Sequence, residues 1–179
     1  MGLFRKQIDK QATTDYFSTA YTEILSPAEE LRHTNQLRQL TETAPILRLV
    51  KQHDFIEELN AVNAAWLSIA WSKYYFSRVD MMTAIHLMSE IESRLNSTLQ
   101  GFTECKSLAD FYGDTFGGST DGNTDMAYVF VRNILKDFDQ AIAKRHPKEF
   151  NDAVQIFSYL FIGIYDDFRA SIKSHHLIH

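Results

Sequence analysis

The chain has 179 residues, of which 45% are hydrophobic and 13% aromatic, and its 18 basic against 23 acidic residues give a formal net charge of −5. That length suits one domain able to bury roughly 70% of its unfolded surface. Mild negative charge spread along the chain argues against nucleic-acid binding, which needs a concentrated basic face. The single Cys105 excludes an internal disulfide.

Residues Met1 to Asp9 lack the apolar run of a secretory signal, and Lys6 stands where an N-myristoylation motif on Gly2 would need Ser or Thr. The longest apolar run, Tyr159 to Tyr165, is too short to cross a bilayer. The expectation is a cytoplasmic protein with no membrane span.

Apolar residues recur every three or four positions and almost never alternate, while only seven glycines and three prolines interrupt the chain. The first helix is predicted from about Asp9 to Leu25, with Phe17, Ala20, Tyr21 and Ile24 on its inner face. Ser26-Pro27-Ala28-Glu29 then reads as a capping box, Ser26 capping, Pro27 at the first helical position and Glu29 bonding back to the Ser26 amide. That second helix is predicted to reach about Thr43, and Pro45 opens a short segment carrying Ile46, Leu47, Leu49 and Val50.

Asp54 to Glu57 reads as a second capping box for a long central helix ending near Arg78, its stripe being Leu59, Val62, Trp66, Ile69 and Ala70. Asp80 caps the next helix, Met81 to Gln100, whose predicted stripe is Ile85, Met88, Leu95, Leu99 and Phe102, with Gly101 as its stop. A short helical turn from Leu108 to Phe116 precedes the one clear loop, Gly117 to Asn123. Two long helices finish the chain. One runs from Thr124 to Arg145, with Phe130, Ile134, Phe138, Ala141 and Ile142 inward, and the other from Pro147 to Ser174, with Phe150, Val154, Phe157, Phe161, Ile164 and Phe168 inward.

These elements specify an all-α, single-domain bundle of about six or seven helices over residues 1–179, mostly antiparallel. Tyr75, Ala84 and Met88 fall at spacings reminiscent of a tetratricopeptide helix pair, but no period of about 34 residues recurs.

Candidate chemistry is sparse. Glu30 and His33 form an E-x-x-H unit, a spacing that carboxylate-bridged di-iron bundles use, but such a site needs a second unit and the chain has none. Glu92 and Asp167 border apolar stripes and are the acids that could complete a smaller site with them. No metal and no cofactor are expected, and no catalytic residue is assigned. His86 with Glu90 reads as a solvated pair, and His175, His176 and His179 as part of a frayed end. Asp121 to Asp125 lacks the later residues of a calcium loop, with Met126 where Gly belongs and Arg132 where Glu belongs. Asn63 on the central helix and Gly163 in the last one are candidates to border a pocket, while Trp71 and Tyr75 read as interface anchors.

The functional expectation is a non-enzymatic bundle acting through protein–protein contact, such as a small regulator, adaptor or immunity-type protein. The alternative is a ligand- or metal-binding bundle, an enzyme included. Recognition is assigned to the segment from Asp110 to Asp125, where Asp114, Asp121 and Asp125 beside Phe111, Tyr112 and Phe116 suit a basic protein partner. A homo-oligomer is left open.

Overall fold

A computed structural model describes residues 6–75, 78–118, 122–136 and 144–178, and its helix starts follow the capping chemistry. Asp9 accepts the Ala12 amide at 2.9 Å and opens α1 (Lys10–Ile24). Ser26 Oγ accepts the Glu29 amide at 3.1 Å, and Pro27 takes the first position of α2 (Pro27–Thr43). A 3-10 turn, Pro45–Leu49, leads into α3 (Gln52–Tyr75). Asp80 accepts the Thr83 amide at 2.9 Å at the start of α4 (Met81–Thr98). Then come α5 (Phe102–Gly117), α6 (Gly122–Ile134) and α7 (Pro147–Ser174). Among the described residues no strand forms, and an isolated antiparallel bridge joins Ile8 to Ile178. The all-α bundle is therefore what this sequence makes.

α3 is the hub. Leu59, Ala61, Val62, Ala64, Ala65 and Leu67 are all buried, so this helix is apolar nearly all round, as a surrounded helix must be. It packs on α5, α7, α6, α2 and α1. At its N-terminal end Phe55 joins Phe130, Phe157 and Phe161 in a cluster whose ring centroids lie 4.6–6.1 Å apart in tilted and edge-on pairs. α6 and α7 run antiparallel, since Asn123 Nδ2 donates to the Ser158 carbonyl while Tyr128 meets Phe150. α1 is antiparallel to α7, with Tyr16 donating to Ser171. α7 follows α3 in the same direction, pairing Phe55 with Phe157 and Trp66 with Tyr165.

Two glycines are dictated by backbone. Gly101 takes φ +77°, which turns the chain from α4 into α5 at no steric penalty. A Cβ on Gly122 would stand 2.6 Å from Phe116, so α6 starts close against α5 only because that position is bare.

Several expectations need correction. The reciprocal arm of the first capping box is absent: the Ser26 amide bonds to the Glu23 carbonyl, and Glu29 turns to Arg32 and His33. α3 begins before Asp54, whose carboxylate accepts Lys136 Nζ at 3.0 Å. Trp71 is buried edge-on against Phe17 and is no surface anchor. The Tyr75 side chain lies outside the description. α5 is a full helix rather than a short turn, because Phe102, Cys105, Ala109 and Tyr112 form one buried stripe. That burial outweighs the roughly 1 kcal/mol disadvantage of an interior glycine at position 113. The C-terminal end is tied down rather than frayed, since the Asp9 amide donates to the Leu177 carbonyl at 2.9 Å and His175 packs on the Tyr16 ring. Phe138, Ala141, Ile142 and His179 fall outside the described residues.

Candidate docking groove

The predicted stripe of α4 is also displaced, and that displacement leaves an open groove beside it. α4 packs on α1 and α5, and its buried residues are Ala84, Leu87, Ile91 and Leu95. Ile85 is 43% exposed and Met81 52% exposed, so Met81 and Ile85, with half-buried Met88, form a second apolar stripe at i, i+4, i+7 that the bundle covers only at its Met88 end.

Below this stripe lies a groove. Between α3 and α5 it has a volume of about 560 Å³ and is floored by Ala65, Ser68, Ser72, Ala109, Gly113 and Gly117. A second hollow of about 290 Å³ shares Ser68, Ser72 and Asp110 with it and extends it towards Ile85 and Met88. The floor exists because small residues recur every fourth position on α5 and at three- and four-residue spacing on α3. A Cβ added at Gly113 or Gly117 would meet nothing within 4 Å. Phe116 forms the far wall, with Trp66 edge-on at 5.1 Å and Lys73 Nζ 4.5 Å above its ring centroid.

Charge rims the groove unevenly. Lys106 bridges Glu92 at 3.4 Å and Asp110, so one cation serves two carboxylates. Asp114 is exposed on the same edge of α5.

Two of the residues assigned to recognition, Asp114 and Phe116, thus line one groove. Asp125 sits exposed on the first turn of α6, outside it, and Asp121 lies outside the described residues. Tyr112, foreseen as a surface anchor, is fully buried. Its hydroxyl donates to the Glu58 carboxylate, and Asn133 Nδ2 donates to both Glu58 and the Tyr112 oxygen at 3.2 Å. Burial and the Glu58 charge both push the phenol upward, so it stays a proton donor clamping α5 to α3 and α6. The floor residues were missed, although the spacing of Ala109, Gly113 and Gly117 was there to be read.

The second polar feature involves His33. Glu30 points to solvent, and it is Glu29 whose Oε1 lies 3.1 Å from His33 Nε2. Arg32 Nη2 at 3.5 Å and Asn63 Nδ2 at 3.4 Å approach the same nitrogen. The ring is fully buried, and desolvation lowers its pKa to about 4 despite the nearby Glu29, which acts in the opposite sense. Neutral His33 has one N–H; we place it on Nε2, facing Glu29, which leaves Nδ1 a buried acceptor with no donor.

Asn63 also lines a cavity of about 210 Å³ with Glu29, Arg32 and Asp167. Glu92 lies on the other side of the bundle with Lys106, and Gly163 faces open space on α7. Among the described residues no three His, Cys, Asp or Glu side chains come together as a metal site would require. Burial pushes the Cys105 thiol up to about 12, which keeps it protonated and unreactive.

No family model, no curated protein and no solved structure matches this chain. Among the described residues no helix is long and apolar enough to cross a membrane.

Proposed function

We propose that this chain is a non-enzymatic bundle that acts by docking another protein, in the manner of a small regulator, adaptor or immunity-type protein, and that the groove between α3, α4 and α5 is its contact surface. The observation that carries this reading is a hollow with small residues on its floor beside exposed Met81 and Ile85 and half-buried Met88. Apolar surface left contiguous and rimmed by charge is the usual signature of an interaction site. Methionine side chains suit it, being flexible enough to adapt to a partner's shape.

The test compares two glycines that both face open space, Gly113 in the groove and Gly163 on α7. The tagged chain is purified from its native host with whatever co-purifies at stoichiometric level. Gly113→Phe is expected to abolish co-purification while Gly163→Phe leaves it intact. Retention of every partner by Gly113→Phe, with unchanged circular dichroism, overturns the groove as the contact surface.

A further inference from the structure

Resting on that docking reading, we infer that the occupant of the groove is a single amphipathic α-helix of a partner protein, with bulky apolar residues along one face and Lys or Arg beside them.

The form of the occupant follows from hydrogen bonding. The groove is walled by helices, whose interior backbone groups are already paired within each helix. An extended peptide laid there would lose water from its own amides and find no ladder to join, which costs on the order of 1–3 kcal/mol for each unpaired group. A helix satisfies its own backbone and needs only side-chain contact. The floor runs along α5 from Ala109 to Gly117 and along α3 from Ala65 to Ser72. At a rise of about 1.5 Å per residue that is on the order of 10–12 Å, enough for two turns and hence for anchors at i, i+4 and i+7. Bare glycines at 113 and 117 leave room for those anchors to be large.

The charge follows from the rim. Glu92 and Asp110 share Lys106, and Asp114 adds a further exposed carboxylate. The other rim cation, Lys73, already lies over the rings of Phe116 and Tyr165. A basic helix therefore meets complementary charge. A second copy of this chain, with its net charge of −5, meets like charge.

The probe is a fluorescein-labelled, side-chain-stapled 16-residue helix with Leu and Met on one face and Lys flanking it. Two companions carry Glu for Lys, or a central Pro in place of the staple. Anisotropy is measured against the full chain. The basic helix is expected to bind at least about 10-fold tighter than either companion, a preference corresponding to ~1.4 kcal/mol. Gly113→Phe and, separately, Ile85→Glu should each weaken it by about 10-fold, a loss of the size typical of a central contact. Asp114→Lys should weaken the basic helix and tighten the acidic one.

Equal binding of the acidic helix overturns the charge assignment, and equal binding of the proline peptide overturns the helical one. No binding of any probe at millimolar concentration overturns this inference while leaving the docking reading to its own test. Binding that ignores both Gly113→Phe and Ile85→Glu sinks the groove itself. A dimer in sedimentation that Gly113→Phe dissolves assigns the groove to a second copy and overturns the basic helix.

Discussion

Around His33 the bundle buries polar groups with too few partners; in the groove it keeps small residues where large ones would fit. The His33 ring is fully buried, with Nδ1 unpartnered, and Asn60 nearby has an unpartnered Oδ1. Gly113 and Gly117, by contrast, have no neighbour within 4 Å of where a Cβ would stand. Close-packed interiors avoid both conditions. The difference is instructive because the first joins α2 to α3 through buried polar groups, whereas the second leaves room for larger side chains. A site that holds the fold and the groove proposed to meet a partner are thus separable by the sign of their response to substitution.

The sharpest break of that contrast is His33→Ala. It removes a wholly buried ring and takes from the Glu29 carboxylate the N–H that His33 gives it, so a loss of about 2–4 kcal/mol is expected in urea unfolding. A loss under about 0.5 kcal/mol, as for an ordinary surface change, would show that the region bears no load.

Acid should act on the same place. His33 titrates near 4 when folded against an ordinary 6.5, so the unfolded chain takes up the proton first as pH falls. The stability that neutral His33 confers is complete above pH 6.5 and declines as pH drops towards 4. The contribution is no more than about 3 kcal/mol, since each unit of pKa difference corresponds to about 1.4 kcal/mol. Urea midpoints from pH 7 to 4 should fall more steeply for the native chain than for His33→Gln. Parallel profiles would remove His33 as the cause.

Within the glycines the comparison can be sharpened further. Gly122→Ala forces a Cβ to within 2.6 Å of Phe116 and should destabilise by about 1–3 kcal/mol. Gly113→Ala meets no atom and should stabilise by about 0.5–1 kcal/mol, the smallest effect and of opposite sign. If thermal melts show Gly113→Ala to be destabilising, the groove floor is packed rather than open.

Much of the fold was legible because its causes are local. Asp9, Ser26 and Asp80 each accept an amide three residues on, and Pro147 opens α7, all within a single turn of the residue that signals them. The stripe Phe17, Ala20, Tyr21 and Ile24 is buried as its spacing requires. Half of the candidate site was legible too: Asp114 and Phe116 belong to one groove, and the small residues 109, 113 and 117 announce a bare helix face. Gly113 and Gly117 look like breakers only while the partners of Phe102, Cys105 and Ala109 are unknown.

The sequence by itself determined where helices start and which residues are able to be buried, since capping and periodicity act over about four residues. Which of those residues are buried was decided by tertiary structure. α4 carries two apolar stripes, and only its seat among α1 and α5 decides that Ala84, Leu87 and Ile91 are buried while Met81 and Ile85 stay exposed. Glu29 meets His33 because residues four apart share a helix face, but it is the seat of α3 against α2, with Asn63 on the same nitrogen, that buries that face. Tyr112 is buried rather than exposed because Glu58, 54 residues away, and Asn133, 21 residues away, meet its hydroxyl. Such choices depend on where distant helices lie, and no window of neighbouring residues contains that information.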